Sequence, residues 1–315
     1  MDFPIDDLMD ENKCYQFLLD VFHPQGLHCP RCYTQEKLRI HNSYRDPILN
    51  YRCTQCKRVF NAWTGTIFQG THWRPSQMVL ILRGFIQGVP TAQLARELLC
   101  SRRHLLDLRH QFQNDAKLNL DRKPLEDAEV EADEMYQNAG EKGVPHEDPE
   151  DPPRCRANKI KGHGTMENDR PPVVGIVGRE SGKVRIEVVD NSDQKTLEPL
   201  VVNMTKPGAM VYTDEWNGYN HLPELGRSHA TVCHTPGRRE WARDDDGDGV
   251  REVHNNTTEG LWTGARNFLR IFRGVNKWFL GQYMAIFEWS HNMKAVTKDV
   301  LRAILGIKLA TDLGP

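Results

Sequence analysis

The stretches Cys29-Pro-Arg-Cys32 and Tyr51-Arg-Cys-Thr-Gln-Cys56 place four cysteines in two matched pairs, with residues 33–52 between them. Two thiolates two residues apart grip one side of a metal ion, and a second such grip from an adjacent hairpin completes a tetrahedron. The spacing predicts a zinc ribbon with Cys29, Cys32, Cys53 and Cys56 as ligands. Four thiolates leave no open position, so this zinc is expected to be structural rather than catalytic. Ribbons of this kind usually sit in proteins that handle nucleic acid.

The 315 residues suggest two or three domains and are enough to bury a real core. Apolar content of 38% and charged content of 27% are those of a globular chain in water. No apolar run reaches membrane-spanning length, and Met1–Asp10 is acidic rather than signal-like. The expectation is a cytoplasmic, nucleoid-associated protein with no membrane partner. Cys14, Cys100, Cys155 and Cys233 are scattered and read as free thiols in a reducing compartment. The net charge of −2 hides an asymmetry: Cys29 to Phe112 holds thirteen Lys and Arg against four Asp and Glu. That basic segment is suited to neutralising phosphates, and the acidic remainder to a metal-binding catalytic domain.

Upstream of the ribbon, Tyr15, Phe17, Leu18 and Phe22 make residues 1–28 a helical lead-in. Downstream, Arg74-Pro75-Ser76 starts a helix, with proline in its first turn, that Gly88-Val89-Pro90 ends. Thr91 to Arg109 has the pattern of a helix-turn-helix: Leu94, Ala95 and Leu98 on one helix, Leu105, Leu106 and Leu108 on the next. Thr91 and Ser101 are the expected caps. The second helix of such a motif enters the major groove by its N-terminal end, which points Arg102, Arg103, His104 and Arg109 toward DNA. The expected domains are 1–62 (lead-in and ribbon), 63–120 (helix-turn-helix), 128–300 (catalytic) and a tail, 301–315.

From Ala128 the period changes. Glu129-Val-Glu-Ala-Asp-Glu-Met-Tyr136 alternates as a strand, with Val130 and Ala132 on one face and Glu131 and Asp133 on the other. Val173–Val177 and Val184–Val189 flank Glu180-Ser-Gly-Lys183 as a hairpin. Thr196–Asn203 reads as a helix, Met210–Thr213 as a strand ending in Asp214, and His229–His234 as a further strand. Thr257–Phe272 and Lys277–Met293 read as apolar helices, and 140–170 as a loop. The class is multidomain α/β. Acids at strand ends of a mixed sheet, followed by a late helical acid, suit two-metal phosphoryl transfer, because Mg²⁺ or Mn²⁺ wants hard oxygen ligands. The candidate ligands are Asp133, Asp214 and Glu259. Glu134 and Glu215 adjoin two of them, but alternation sends one member of each pair away from the site. Asp244-Asp-Asp-Gly-Asp-Gly249 matches the first half of a calcium loop, but its twelfth position is Asn255 rather than glutamate. It reads better as an acidic turn.

These blocks together resemble bacterial insertion-sequence transposases of the DDE type with an N-terminal zinc ribbon, the ISXO-like group. The resemblance is carried by the two cysteine pairs and by Phe60-Asn-Ala-Trp-Thr-Gly-Thr-Ile-Phe68. Val130-Glu-Ala-Asp-Glu-Met-Tyr136, Tyr212-Thr-Asp-Glu-Trp-Asn-Gly-Tyr219 and Val253-His-Asn-Asn-Thr-Thr-Glu-Gly-Leu-Trp262 extend it. It implies a ribonuclease-H-like catalytic domain in which Asp133 and Asp214 hold the metals and Glu259 completes the second site. Asn256, one turn earlier, competes with Glu259 as third ligand. Arg266 falls where lysine is usual in the family, and still suits a phosphate. Arg266, Asn256 and Trp262 would grip DNA near the cut, Trp262 by stacking on a base or by packing in the core. His254 and His234 also match family positions. The implied reaction is cleavage at terminal inverted repeats and strand transfer into target DNA by a homodimer that pairs two ends. The rival reading is a transcription regulator with the same ribbon and helix-turn-helix and an inactive nuclease-like domain. Such a regulator has no need of three acids at element ends.

Overall fold

The computed structural model describes residues 1–143, 163–233, 237, 238 and 240–307. His234 and Cys155, and most of the predicted 140–170 loop, lie outside the described residues. The chain forms two compact units, one of Met1–Leu120 with the segment that follows Asn292, the other of Asp121–Asn292. The second unit starts before the expected domain of 128–300 and ends short of it.

In the first unit α1 (Glu11–Phe22) begins at Asp10, whose carboxylate accepts from the Asn12 and Lys13 amides. Its buried face is aromatic. Tyr15 and Phe22 meet Trp63 edge-on, and Phe22 meets Phe68 in the same way. The ribbon is an antiparallel sheet of β1 (Leu38–Arg45), β2 (Ile48–Cys53) and β3 (Val59–Asn61), in that order. Three helices follow: α2 (Pro75–Ile86), α3 (Thr91–Glu97) and α4 (Arg102–Leu118). Pro75 opens α2 as read from the sequence. Gly84 lets α3 come close, since a Cβ there would sit 2.7 Å from a methyl of Leu94. Ser101 caps α4 through the His104 amide. Thr91 does not cap α3. Pro90 holds that position in an extended conformation, and the Thr91 hydroxyl instead accepts from Arg109 at 2.9 Å. The last described helix, Lys298–Ile304, straddles the expected boundary between the catalytic domain (128–300) and the tail (301–315), and belongs to this unit: Lys298 pairs with Asp20 of α1, and Arg302 donates to the Asp20 carbonyl.

The second unit is built on a five-stranded sheet of β4 (Glu129–Tyr136), β5 (Pro172–Gly178), β6 (Val184–Val188), β7 (Met210–Asp214) and β8 (Ser228–Val232). The order is β6-β5-β4-β7-β8. β4, β5 and β6 run antiparallel, whereas β7 and β8 lie parallel to β4. This is the ribonuclease-H-like arrangement. The parallel connections require crossovers, and α5 (Gln194–Met204) supplies the one from β6 to β7. The two faces follow the alternation of β4. Val130 and Ala132 pack with Val174, Ile176, Leu197, Val201 and Tyr219 on the α5 face. Met135, Val173 and Val177 pack with Leu261, Trp262 and Ala265 of α6 (Asn256–Arg270) and with Met284 of α7 (Leu280–Asn292) on the other.

Candidate active site and metal centres

The four cysteines meet as the spacing predicted. Their sulfurs all lie within 4.8 Å of one another, with Cys29–Cys56 and Cys32–Cys53 at 3.5 Å. That separation is far too long for a disulfide and close to the edge of a zinc–thiolate tetrahedron, roughly 3.8 Å from a Zn–S bond of about 2.3 Å. The two turns are built alike. Tyr33 and Lys57, each directly after its second cysteine, take positive φ of 59° and 64° and donate back to the carbonyls of Cys29 and Cys53. The cluster therefore fits the zinc of a ribbon.

In the sheet of the second unit, Glu131 is aligned with Tyr212 between the parallel strands β4 and β7. Two residues further along each strand stand Asp133 and Asp214, side by side and on the same face. Asp133 is pushed up to about 8, first by burial and then by the negative charges of Asp214 and Glu134. Glu134 points to the α5 face, as alternation required, and accepts from the Tyr219 hydroxyl at 2.5 Å. Burial raises it to about 7, with the charge of Asp214 adding to the rise. Glu215 is exposed. Asp214 ends β7, whereas Asp133 and Glu134 stand inside β4, which runs on to Tyr136. Three carboxyl groups this close in low dielectric are a place where positive charge belongs, and hard oxygens suit Mg²⁺ or Mn²⁺.

Helix α6 covers this end of the sheet and is anchored by a residue to which the sequence reading gave no role. The Glu131 carboxylate is fully buried. It accepts from the backbone amides of Thr257 and Thr258 at 2.7 and 3.2 Å, and from the Thr257 hydroxyl at 2.9 Å. A side chain from β4 thus satisfies free amides at the start of α6 and complements its dipole. Arg179 binds the same carboxylate at 2.9 Å, lies over the Tyr212 ring and donates to the carbonyls of Glu252 and His254. His254 sits 3.2 Å from Glu131, within this network. The only sequence signal was the alternation that put Glu131 on the Asp133 face.

Trp262 is buried, and its indole N–H donates to Asp133 Oδ2 at 2.9 Å. Gly175, the partner of Asp133 across the β4–β5 ladder, makes room for it, because a Cβ there would stand 2.5 Å from the ring. Of the two roles expected for Trp262, core packing is the one the structure gives. No open ring face is left for a base. Asn256, Glu259 and Arg266 are exposed on α6, Glu259 and Arg266 seven residues apart along one stripe. Asp133 and Asp214 come together, whereas Glu259 does not close with them. Among the described residues, only the cysteines and the group Asp244, Asp246 and Glu252 bring three or more ligand atoms within 4.8 Å of one another. The twelfth position of the calcium-loop reading is used elsewhere. Asn255 is buried, with its side chain bonded to the Ala132 carbonyl and the Thr258 hydroxyl.

Of the four expected DNA contacts on α4, Arg102, Arg103 and His104 are exposed at its N-terminal end. Arg103 pairs with Asp107 at 3.2 Å, and His104 stacks on Trp73. Arg109 is a correction. It is fully buried, lies over the Phe85 ring and donates to Thr91 and to the Val89 carbonyl. Its charge ties α4 to the turn before α3 and does not face a ligand.

A four-thiolate ribbon, a helix-turn-helix and a ribonuclease-H-like sheet with paired acids in one chain define the transposase class. Residues 124–292 match the ISXO2-like transposase domain, and residues 9–59 match the transposase zinc-ribbon domain. The chain belongs to the ISXO2-like transposase family. It is 28% identical over 305 residues to an uncharacterized protein in transposable element ISH50 of Halobacterium salinarum, covering 96% of this chain and 98% of that one. It is also 28% identical over 120 residues to an uncharacterized transposase-like protein of Haemophilus influenzae, covering 38% and 88%. Among solved structures it is similar to the Mos1 mariner paired end complex with Mn, at 13% identity and a TM-score of 0.23 over 70% of this chain and 78% of that one. A simian T-cell lymphotropic virus intasome aligns at 12% and 0.24 over 64% and 73%. Values this low decide nothing about the fold, which stands on strand order and family match. Among the described residues, no helix is long and apolar enough to cross a membrane.

Proposed function

We propose that this chain binds the terminal inverted repeats of an insertion sequence and catalyses divalent-metal-dependent cleavage and transfer of DNA strands. The observation that carries the reading is the juxtaposition of Asp133 and Asp214 on adjacent parallel strands, in a shared field that raises Asp133 to about 8. Asp133 and Asp214 would hold Mg²⁺ or Mn²⁺, with Glu259 or Asn256 brought in from the first turn of α6. When bound, the metal supplies activation of the attacking oxygen and stabilisation of charge on the phosphoryl group. Trp262 fixes one oxygen of Asp133 and so orients the carboxylate. Arg266 would hold the DNA backbone beside the cut. Arg102, Arg103 and His104, with the zinc ribbon, would bind the repeat ends, and a homodimer would pair two of them.

The test is cleavage of a DNA carrying the element's ends, in Mg²⁺ or Mn²⁺, by the wild type and by Asp133→Ala, Asp214→Ala and Glu259→Ala. Each substitution is expected to abolish cutting and to leave end binding intact. Cutting by Asp214→Ala at the wild-type rate would refute the site.

A further inference from the structure

The ribbon carries a surplus of positive charge that no carboxylate of its own fold neutralises. Between Cys29 and Asn61 it carries seven Lys and Arg against two acids, Glu36 and Asp46. Among the described residues none of the seven forms an ion pair. Two of them are set face to face. In the β1–β2 ladder Arg39 stands directly opposite Arg52, and in the β2–β3 ladder Arg52 stands opposite Val59. All three side chains are exposed. This row lies on the outer face of the sheet. The neighbouring row of Ile40, Tyr51 and Phe60 faces the other way, where Tyr51 and Phe60 pack with the cysteines. The next outer row is Asn42, Asn50 and Asn61, with the Asn50 amide donating to Asn42 at 2.8 Å. No carboxylate stands in either outer row.

Like charges directly opposite on a sheet repel. Here the repulsion has no protein counter-charge, and two planar forks side by side match the geometry of one phosphate. We infer that Arg39 and Arg52 hold a phosphodiester of double-stranded DNA between them. The outer face of the ribbon is then a backbone-positioning surface, separate from the N-terminal end of α4. Its contribution is independent of sequence, since phosphate contacts fix register without reading bases. The inference rests on the reading of the chain as a DNA-binding transposase.

The experiment uses the full zinc-loaded chain and two duplexes, one with the element's terminal repeat and one scrambled. Affinity is measured from roughly 50 to 300 mM salt. The double variant Arg39→Ala/Arg52→Ala is expected to bind both duplexes about ten-fold more weakly at low salt, by the same factor, with the slope of log affinity against log salt shallower by about one. Arg39→Lys/Arg52→Lys, which keeps the charge, is expected to keep the slope. Zinc content by elemental analysis shows that the ribbon is intact in both. Wild-type slope and affinity in the alanine variant, or a loss confined to the terminal repeat, would overturn the inference while leaving the transposase reading standing. A wild-type chain with no salt-dependent DNA binding would sink both.

Discussion

At Glu131 one carboxylate holds a helix to a strand. It is buried without exposure and accepts from four donors: two backbone amides, a threonine hydroxyl and Arg179. Removing the charge while keeping the shape turns one of the two acceptor oxygens into an NH2 that faces donors at the start of α6 or on Arg179. Glu131→Gln is expected to lower unfolding stability by about 2–4 kcal/mol, the cost of breaking a buried charged hydrogen-bond set. Urea denaturation checks this, and an unchanged midpoint would mean that the network carries no stability. The sequence showed that Glu131 and Asp133 share a face. It did not show that one caps a helix 126 residues away while the other joins Asp214, because both are acids on an alternating strand. Arg102 and Arg109 make the same point. They are seven residues apart, hence nearly aligned along α4, and only packing decides that the first projects past the bundle while the second is sealed against Phe85 and Thr91.

Among the elements, the ribbon is the one whose stability a metal should control. It has three short strands, a small cluster of Leu27, Leu38, Tyr51 and Phe60 around the cysteines, and a surplus of like charge. A core of that size does not hold alone, and zinc binding supplies folding free energy directly. One zinc per chain is expected, lost in Cys53→Ser. Chelation should raise amide hydrogen exchange across residues 29–61 and leave the strands β4 to β8 protected. Uniform protection of the ribbon after chelation would show that the metal is not what orders it. Local signals were legible at this scale: the cysteine spacing, Pro75, the Ser101 cap and the alternation of β4 all act within a few residues. Thr91 was misread because its hydroxyl found a distant donor in Arg109.

Across the whole second unit, a second buried acid gives a pH signature apart from the candidate site. Glu288 of α7 is 1% exposed, accepts from the Ile186 amide at 2.9 Å, and lies 3.7 Å from Arg122. Burial raises it from 4.5 to about 7, against the pull of Arg122. A raised carboxyl means that the folded state binds the proton more tightly than the unfolded chain. Its contribution is therefore full below about pH 4.5 and is lost as pH rises through 7. Glu288→Gln removes that slope. The stability of the variant relative to wild type should rise between pH 5 and 8 by an amount on the order of 3 kcal/mol, read from urea midpoints at each pH. Parallel pH curves for the two proteins would contradict it.

The amino-acid order by itself determined the zinc ribbon, the helix-turn-helix, the change to strands at Ala128 and the strand face that carries Asp133. Each is written in spacing or period, which short-range geometry enforces. The tertiary structure alone decided that Gly175 yields its space to Trp262, that Glu131 caps α6, that Arg109 is sealed inside, and that the segment after Asn292 returns to the first unit. These depend on which distant surfaces come into contact. Burial and hydrogen bonding across more than a hundred residues are set by the folded arrangement of elements, and no local pattern encodes them.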